Sequence, residues 1–326
     1  MELDREKGRG CDYVERARRL IGLQEIEEQS YTGKKIGIAL FVTGIAAGHP
    51  DFRGDGKIAV FKDFINDKQG AYDDNGHGTH VAGIAGGTGI ASSGKYRGIA
   101  TQAHFIVIKI LDHLGNGNID NVLQGVDWLI KNQKRYGIRV VNISIGSGKE
   151  EEIGEESELV QGINALWDAG MVVCAAAGNN GPTPGSIGAP GNSRKLITVG
   201  ACDDNEEIIL NGRTMKNYSG RGPTKCCIKK PDLVAPGSNI ISCSSNWKYK
   251  SNFAFYGGGN QFYTVKSGTS MATPIVSGTV ALLLEKYPEM SNREVKIRLK
   301  NRSEDMGLPH DKQGWGRLNA KKLLLD

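Results

Sequence analysis

Two short segments of this chain carry residue types suited to covalent chemistry: Gly268-Thr269-Ser270-Met271-Ala272-Thr273-Pro274 and Asn75-Gly76-His77-Gly78-Thr79-His80. Hydrolysing an amide requires a nucleophile, a base to take its proton, and donors for the oxyanion that forms. Ser270 lies ahead of a long apolar helical pattern, which puts its hydroxyl at a helix N-terminus where N–H groups and the dipole favour negative charge. Alone, such a serine reads as an N-cap. His77 is flanked by Gly76 and Gly78, which let a substrate or another backbone approach it closely; His80 reads as a structural histidine. Asn179, in Ala175-Ala176-Ala177-Gly178-Asn179-Asn180-Gly181, follows an apolar strand pattern and emerges at its carboxyl end. Its side-chain amide suits an oxyanion donor, although by itself it reads as a turn asparagine.

The elements that must position these groups alternate in type. Ile36 to Val42, Phe105 to Leu111, Val140 to Ile145, Met171 to Ala176 and Leu196 to Val199 read as buried strands. Asn121 to Lys134 and Ser157 to Ala169 carry helical spacing between them. This alternation predicts an α/β fold, a mostly parallel central sheet with helices on both faces, and a ligand site at the carboxyl ends of the strands. Thr273 to Lys286 reads as a strongly apolar helix, and Ser291 with Glu294 as the capping box of the next. Residues 1–33 form a charged preface with a short amphipathic piece (Val14, Ala17, Leu20, Ile21), expected to pack on a main body spanning 34–326. Asn246 to Gly259 reads as the most loop-like connection.

Composition narrows the class. Apolar residues make up 39% and charged residues 24% of 326, the balance of an ordinary globular protein with room for a large core. A net charge of +5 is spread among interleaved acids rather than gathered into a stripe, which argues against a nucleic-acid partner. No apolar run has membrane-spanning length, and the polar start lacks the apolar stretch of a secretory signal, so a cytoplasmic protein is expected. The six cysteines are expected to be free thiols, with a buried Cys174 and no zinc pattern around Cys226-Cys227.

The motifs together resemble those of a subtilisin-like serine peptidase of the S8 type. The resemblance rests on Val42-Thr43-Gly44-Ile45 with His49-Pro50-Asp51-Phe52, Asn75 to Gly83, Ala175 to Gly181, Lys230 to Gly237, and Gly268 to Pro274, in the family's order. Tyr72-Asp73-Asp74-Asn75 and Ser219-Gly220-Arg221-Gly222-Pro223 resemble the intracellular bacterial branch. It implies a three-layer subtilisin-like fold and peptide-bond hydrolysis, with His77 as general base, Ser270 as nucleophile and Asn179 as oxyanion donor. Ser144, Ile145 and Gly146 match the substrate-binding strand, and Gly115 and Gly117 the opposite edge, so an extended peptide or protein would be the partner. No cofactor is required. Calcium is a further expectation, since Asp51 matches one ligand position, but Gly86 to Gly94 lacks the asparagine-rich loop that usually completes the site.

One position departs from the pattern: Val42 stands where the family carries the triad aspartate. Valine cannot accept a hydrogen bond from the imidazole, fix its tautomer or stabilise the imidazolium. Thr43 and Asp74 are the neighbours that could substitute, and a single-nucleotide sequence variant is a further reading. Two functions therefore compete: a strongly impaired serine endopeptidase, and a pseudoprotease that binds a peptide or protein in the cleft.

Overall fold

The computed structural model describes residues 13–29, 31–146, 154–210, 212–246 and 262–325. Its centre is a seven-stranded parallel sheet of β1 (Gly37–Val42), β2 (Ile58–Asp63), β3 (His104–Lys109), β4 (Ile138–Ile143), β5 (Val172–Ala176), β6 (Ile197–Ala201) and β9 (Leu233–Ala235), in the order β2-β3-β1-β4-β5-β6-β9. The predicted strands lie here, within one to two residues of their expected bounds. Strands covered on both faces need apolar residues at every position, and all six residues of β1 are buried. β2 has no such signal, because five of its six residues are half-buried at the sheet edge.

The connections carry α2 (His77–Gly86), α3 (Ile119–Asn132), α4 (Glu158–Asp168), α5 (Thr269–Lys286), α6 (Asn292–Arg302), and the short α7 (His310–Gln313) and α8 (Ala320–Leu324). Asn118 and Ser157 cap α3 and α4, and Ser291 with Glu294 forms the expected capping box of α6. α5 is apolar on all sides and packs against β4, β5, β6 and α2, so it sits in the core rather than on it. It begins at Thr269, four residues before the sequence suggested, with Pro274 inside the helix. Two hairpins, β7 (Ile208–Leu210) with β8 (Arg213–Met215) and β10 (Ile240–Cys243) with β11 (Tyr263–Lys266), flank the sheet.

Helix α1 (Tyr13–Leu20) precedes the sheet, and Ala17, Ile21, Leu23 and Ile26 are buried in the main core. Arg18 donates to the Gly98 carbonyl at 2.5 Å, and Arg16 reaches Asp203 at 3.6 Å and pairs with Glu206. The Ile21 carbonyl accepts from the Ala320 amide at 2.7 Å, and Glu25 pairs with Lys321. The side chain of Val14, Cys11, and residues 247–259 of the expected long connection lie outside the described residues. Among the described residues, no helix is long and apolar enough to cross a membrane.

Candidate active site

The strand order reverses direction between β1 and its neighbour β4, and the crevice at the carboxyl ends of these strands is where such sheets bind ligands. A cleft of about 1160 Å³ opens there, lined by His77, Ser144, Ile145, Gly146, Asn179 and Ser270, with Gly115 and Gly117 on the opposite rim. Eight of the residues singled out in the sequence thus meet in one place. Val42, at the end of β1, is fully buried beneath it.

His77 is the first residue of α2, behind a left-handed Gly76. The turn that carries it is closed by Asp73. Its Oδ1 accepts from Thr43 Oγ1 (2.9 Å), Gly76 N (2.8 Å) and Asn75 N (3.2 Å). Its Oδ2 accepts from Thr79 N (2.8 Å) and Thr79 Oγ1 (2.6 Å). Burial alone would raise the Asp73 pKa, but these donors hold it below the usual carboxylate range. β1 and α2 approach so closely that a Cβ on Gly78 would lie 2.1 Å from the Gly44 carbonyl oxygen and 2.9 Å from Val42 Cβ. Only glycine fits beside that strand end.

Within this tight junction, His77 Nδ1 is buried and has no hydrogen-bond partner among the described residues. Burial, followed by the charge of Lys266, pushes the His77 pKa down to about 4 against an opposing pull from Asp73. Neither neighbour weighed as a substitute serves the imidazole. Thr43 Oγ1 accepts from Gly78 N at 3.0 Å while donating to Asp73, and Asp74 pairs at 2.8 Å with the buried Lys109, which also donates to the carbonyls of Thr43 and Leu111.

The other wall is fully connected. Ser277 Oγ donates to Asn142 Oδ1 (3.0 Å), Asn142 Nδ2 to Ser144 Oγ (2.9 Å), and Ser144 Oγ to the Ser270 carbonyl (3.0 Å). Ser270 is the second residue of α5; Gly268 takes the cap, and the Ser270 hydroxyl donates to the Ser144 carbonyl at 3.0 Å. No hydrogen bond joins Ser270 to His77 among the described residues. Asn179 Oδ1 accepts from Thr269 N (2.9 Å) and Thr269 Oγ1 (3.1 Å), so its amide nitrogen is the end left over for the cleft. On the far rim, Asp112 Oδ1 accepts from Leu114 N and Asn116 N, both at 2.9 Å, and Asn75 Nδ2 ties that loop to the His77 turn through the His113 carbonyl at 3.0 Å. His80 behaves as a structural histidine: it is buried, and its Nε2 lies 3.1 Å from the carbonyls of Ile240 and Thr264.

Asp51 lies apart from the cleft. Its Oδ1 accepts from Ala91 N (3.0 Å), and its Oδ2 from Tyr263 Oη (2.8 Å) and Cys243 Sγ (3.4 Å), with His49 alongside. Calcium takes six to eight oxygen ligands; a thiol and an imidazole around one carboxylate do not fit it.

Two further residues shape the site, Asp73 and Lys266. Asp73 had one legible signal, an aspartate three residues ahead of the glycine before a helix start. Lys266 had none, because its proximity to His77 comes from β11 folding back over α2.

The sequence profile of the subtilase family (Peptidase S8) matches residues 33–316. The serine protease AprX of Bacillus subtilis (strain 168) is 42% identical over 307 residues, covering 90% of this chain and 67% of that protein. Subtilisin Savinase of Lederbergia lenta is 33% identical over 290 residues, covering 89% and 91%. A solved structure described as S41 psychrophilic protease superposes with a TM-score of 0.71 at 30% identity, covering 88% of this chain and 92% of that one. A family match across most of the chain, together with a relative 42% identical, means that this protein belongs to the subtilase family of serine peptidases.

Proposed function

We propose that the chain is a serine endopeptidase whose turnover is strongly impaired at one atom, His77 Nδ1. In this reading Ser270 Oγ attacks the scissile carbonyl, His77 takes its proton, and the Asn179 amide with the Ser270 N–H holds the oxyanion. Ser144 to Gly146 and the Gly115 to Gly117 rim grip an extended peptide as an added strand. The buried, unpartnered Nδ1, with Val42 buried at the end of the adjoining strand β1, carries the proposal. An imidazole shifted from its ordinary value to about 4 resists becoming imidazolium by about 3 kcal/mol, and valine offers nothing to offset that. Losing the acid in a serine triad costs about 10⁴ in turnover.

A second reading, a pseudoprotease that only binds peptides, is favoured by the Ser270 hydroxyl donating to Ser144 instead of His77. Val42→Asp separates the two. Under the first reading, the variant gains about 10³ to 10⁴ in peptide hydrolysis and in labelling of Ser270 by a fluorophosphonate; no gain in either assigns the cleft to binding alone. Five free thiols among the described residues, with Cys226 and Cys227 exposed, support the cytoplasmic location expected from the sequence.

A further inference from the structure

Beneath the face where β10 meets α2, three side chains of different donor type converge away from the cleft. His49, Asp51 and Cys243 are each buried, and their ligand atoms all lie within 4.8 Å of one another. From this cluster we propose a buried site for a d-block divalent cation of the zinc class, bound through His49 Nδ1, an Asp51 carboxylate oxygen and Cys243 Sγ, with the fourth coordination position left to a small exogenous ligand.

The donor set carries the choice of ion. One imidazole nitrogen, one thiolate and one carboxylate oxygen match the borderline-soft preference of zinc and exclude calcium and magnesium, which require oxygen. The outer contacts are those that orient metal ligands. His49 Nε2 lies 2.8 Å from the Phe262 carbonyl, which fixes its proton there and turns the Nδ1 lone pair inward, where Asp51 N now donates to it at 3.1 Å. Tyr263 Oη holds Asp51 Oδ2 at 2.8 Å, and Cys243 Sγ already donates to that oxygen at 3.4 Å. Ligands around tetrahedral zinc sit about 3.3 to 3.8 Å apart, so only a small contraction is needed.

Charge closes the argument. The cation replaces the thiol proton, which leaves to solvent as the Cys243 sulfur–metal bond forms, and thiolate plus carboxylate then cancel its two charges. Access is closed on the helix side, where a Cβ on Gly83 would lie 2.7 Å from Cys243 Sγ, so the ion would enter as the fold forms.

The test uses the full chain carrying C226S and C227S, which removes the two thiols exposed among the described residues. After refolding with Zn²⁺ and dialysis, elemental analysis should find one zinc per chain, and Co²⁺ in its place should give a thiolate-to-cobalt charge-transfer band. Adding C243S should abolish the band and weaken zinc retention at least 100-fold, and H49Q should weaken retention similarly. If C243S fails to fold, H49Q decides the matter instead, since it leaves every remaining thiol in place and should still weaken zinc retention, and retention unchanged by H49Q overturns the site. Absence of stoichiometric zinc and of the band in the C226S/C227S protein overturns the site, as does zinc retention unchanged by C243S.

Discussion

The two walls of the cleft differ in how completely their polar groups are satisfied. On the Ser270 wall, the side chains of Ser277, Asn142 and Ser144 form an unbroken series that ends on the Ser270 carbonyl, and Asn179 is pinned by Thr269. On the His77 wall, Asp73 takes five hydrogen bonds and holds the turn in place, yet the imidazole it carries keeps a buried nitrogen without a partner. The turn around His77 is tied down by hydrogen bonds, while the Nδ1 of its ring is not. A site can thus hold its backbone firmly and still leave a buried polar atom of one side chain unsatisfied.

The sharpest way to break this contrast is to supply the acceptor. Val42→Asp should raise turnover by about 10³ to 10⁴, whereas Val42→Asn, similar in shape but uncharged, should recover far less. Equal gains from both would mean that filling the space matters and charge does not. Next in size, Asn179→Ala should cost about 10² to 10³ in kcat by the same factor with or without Val42→Asp, because the two walls act independently. A factor that changes with the background, read from single-turnover kinetics, would show that they are coupled.

Acid stability probes the His77 wall more gently. His77 and His80 are held neutral in the fold, at about 4 and about 3, by burial first and by Lys266 next. Both lie below the ordinary 6.5, so in that interval the unfolded chain binds more protons than the native one, and stability falls as pH drops from 6.5. His80 alone should remove about 2 kcal/mol between pH 7 and 5, measurable by urea unfolding. A flat profile across this range would contradict the burial of the His80 ring. Smallest, Lys266→Met removes the cation that disfavours imidazolium. In the Val42→Asp background it should move the acid limb of the pH–rate profile upward by about half a unit, and a downward move would reverse the sign assigned to Lys266.

Much of this was legible from residue order alone, and for identifiable reasons. The buried strands announce themselves because parallel strands covered on both faces must be apolar throughout, as β1 and β5 are. Ser270, His77 and Asn179 stand in short motifs whose neighbours determine their conformation. α5 begins four residues before its apolar pattern suggests because Pro274, the sixth residue of the helix, looks like a boundary, although the carbonyl it leaves without a helical donor, that of Ser270, accepts from Ser144 Oγ instead. The choice of Asp74 over Asp73 could not be made from spacing, since it depends on Lys109 arriving from β3 to claim Asp74. Lys266 and the Cys243 cluster depend on contacts across some two hundred residues of chain, for which no local pattern exists.

The hydrogen bond between Ile21 and Ala320 has a consequence for the stability of the molecule. Two positions about three hundred residues apart in sequence are held side by side, with Glu25 and Lys321 paired next to them. The segment that precedes the sheet and the helix α8 therefore close one shared seam, and loosening either of them exposes the other.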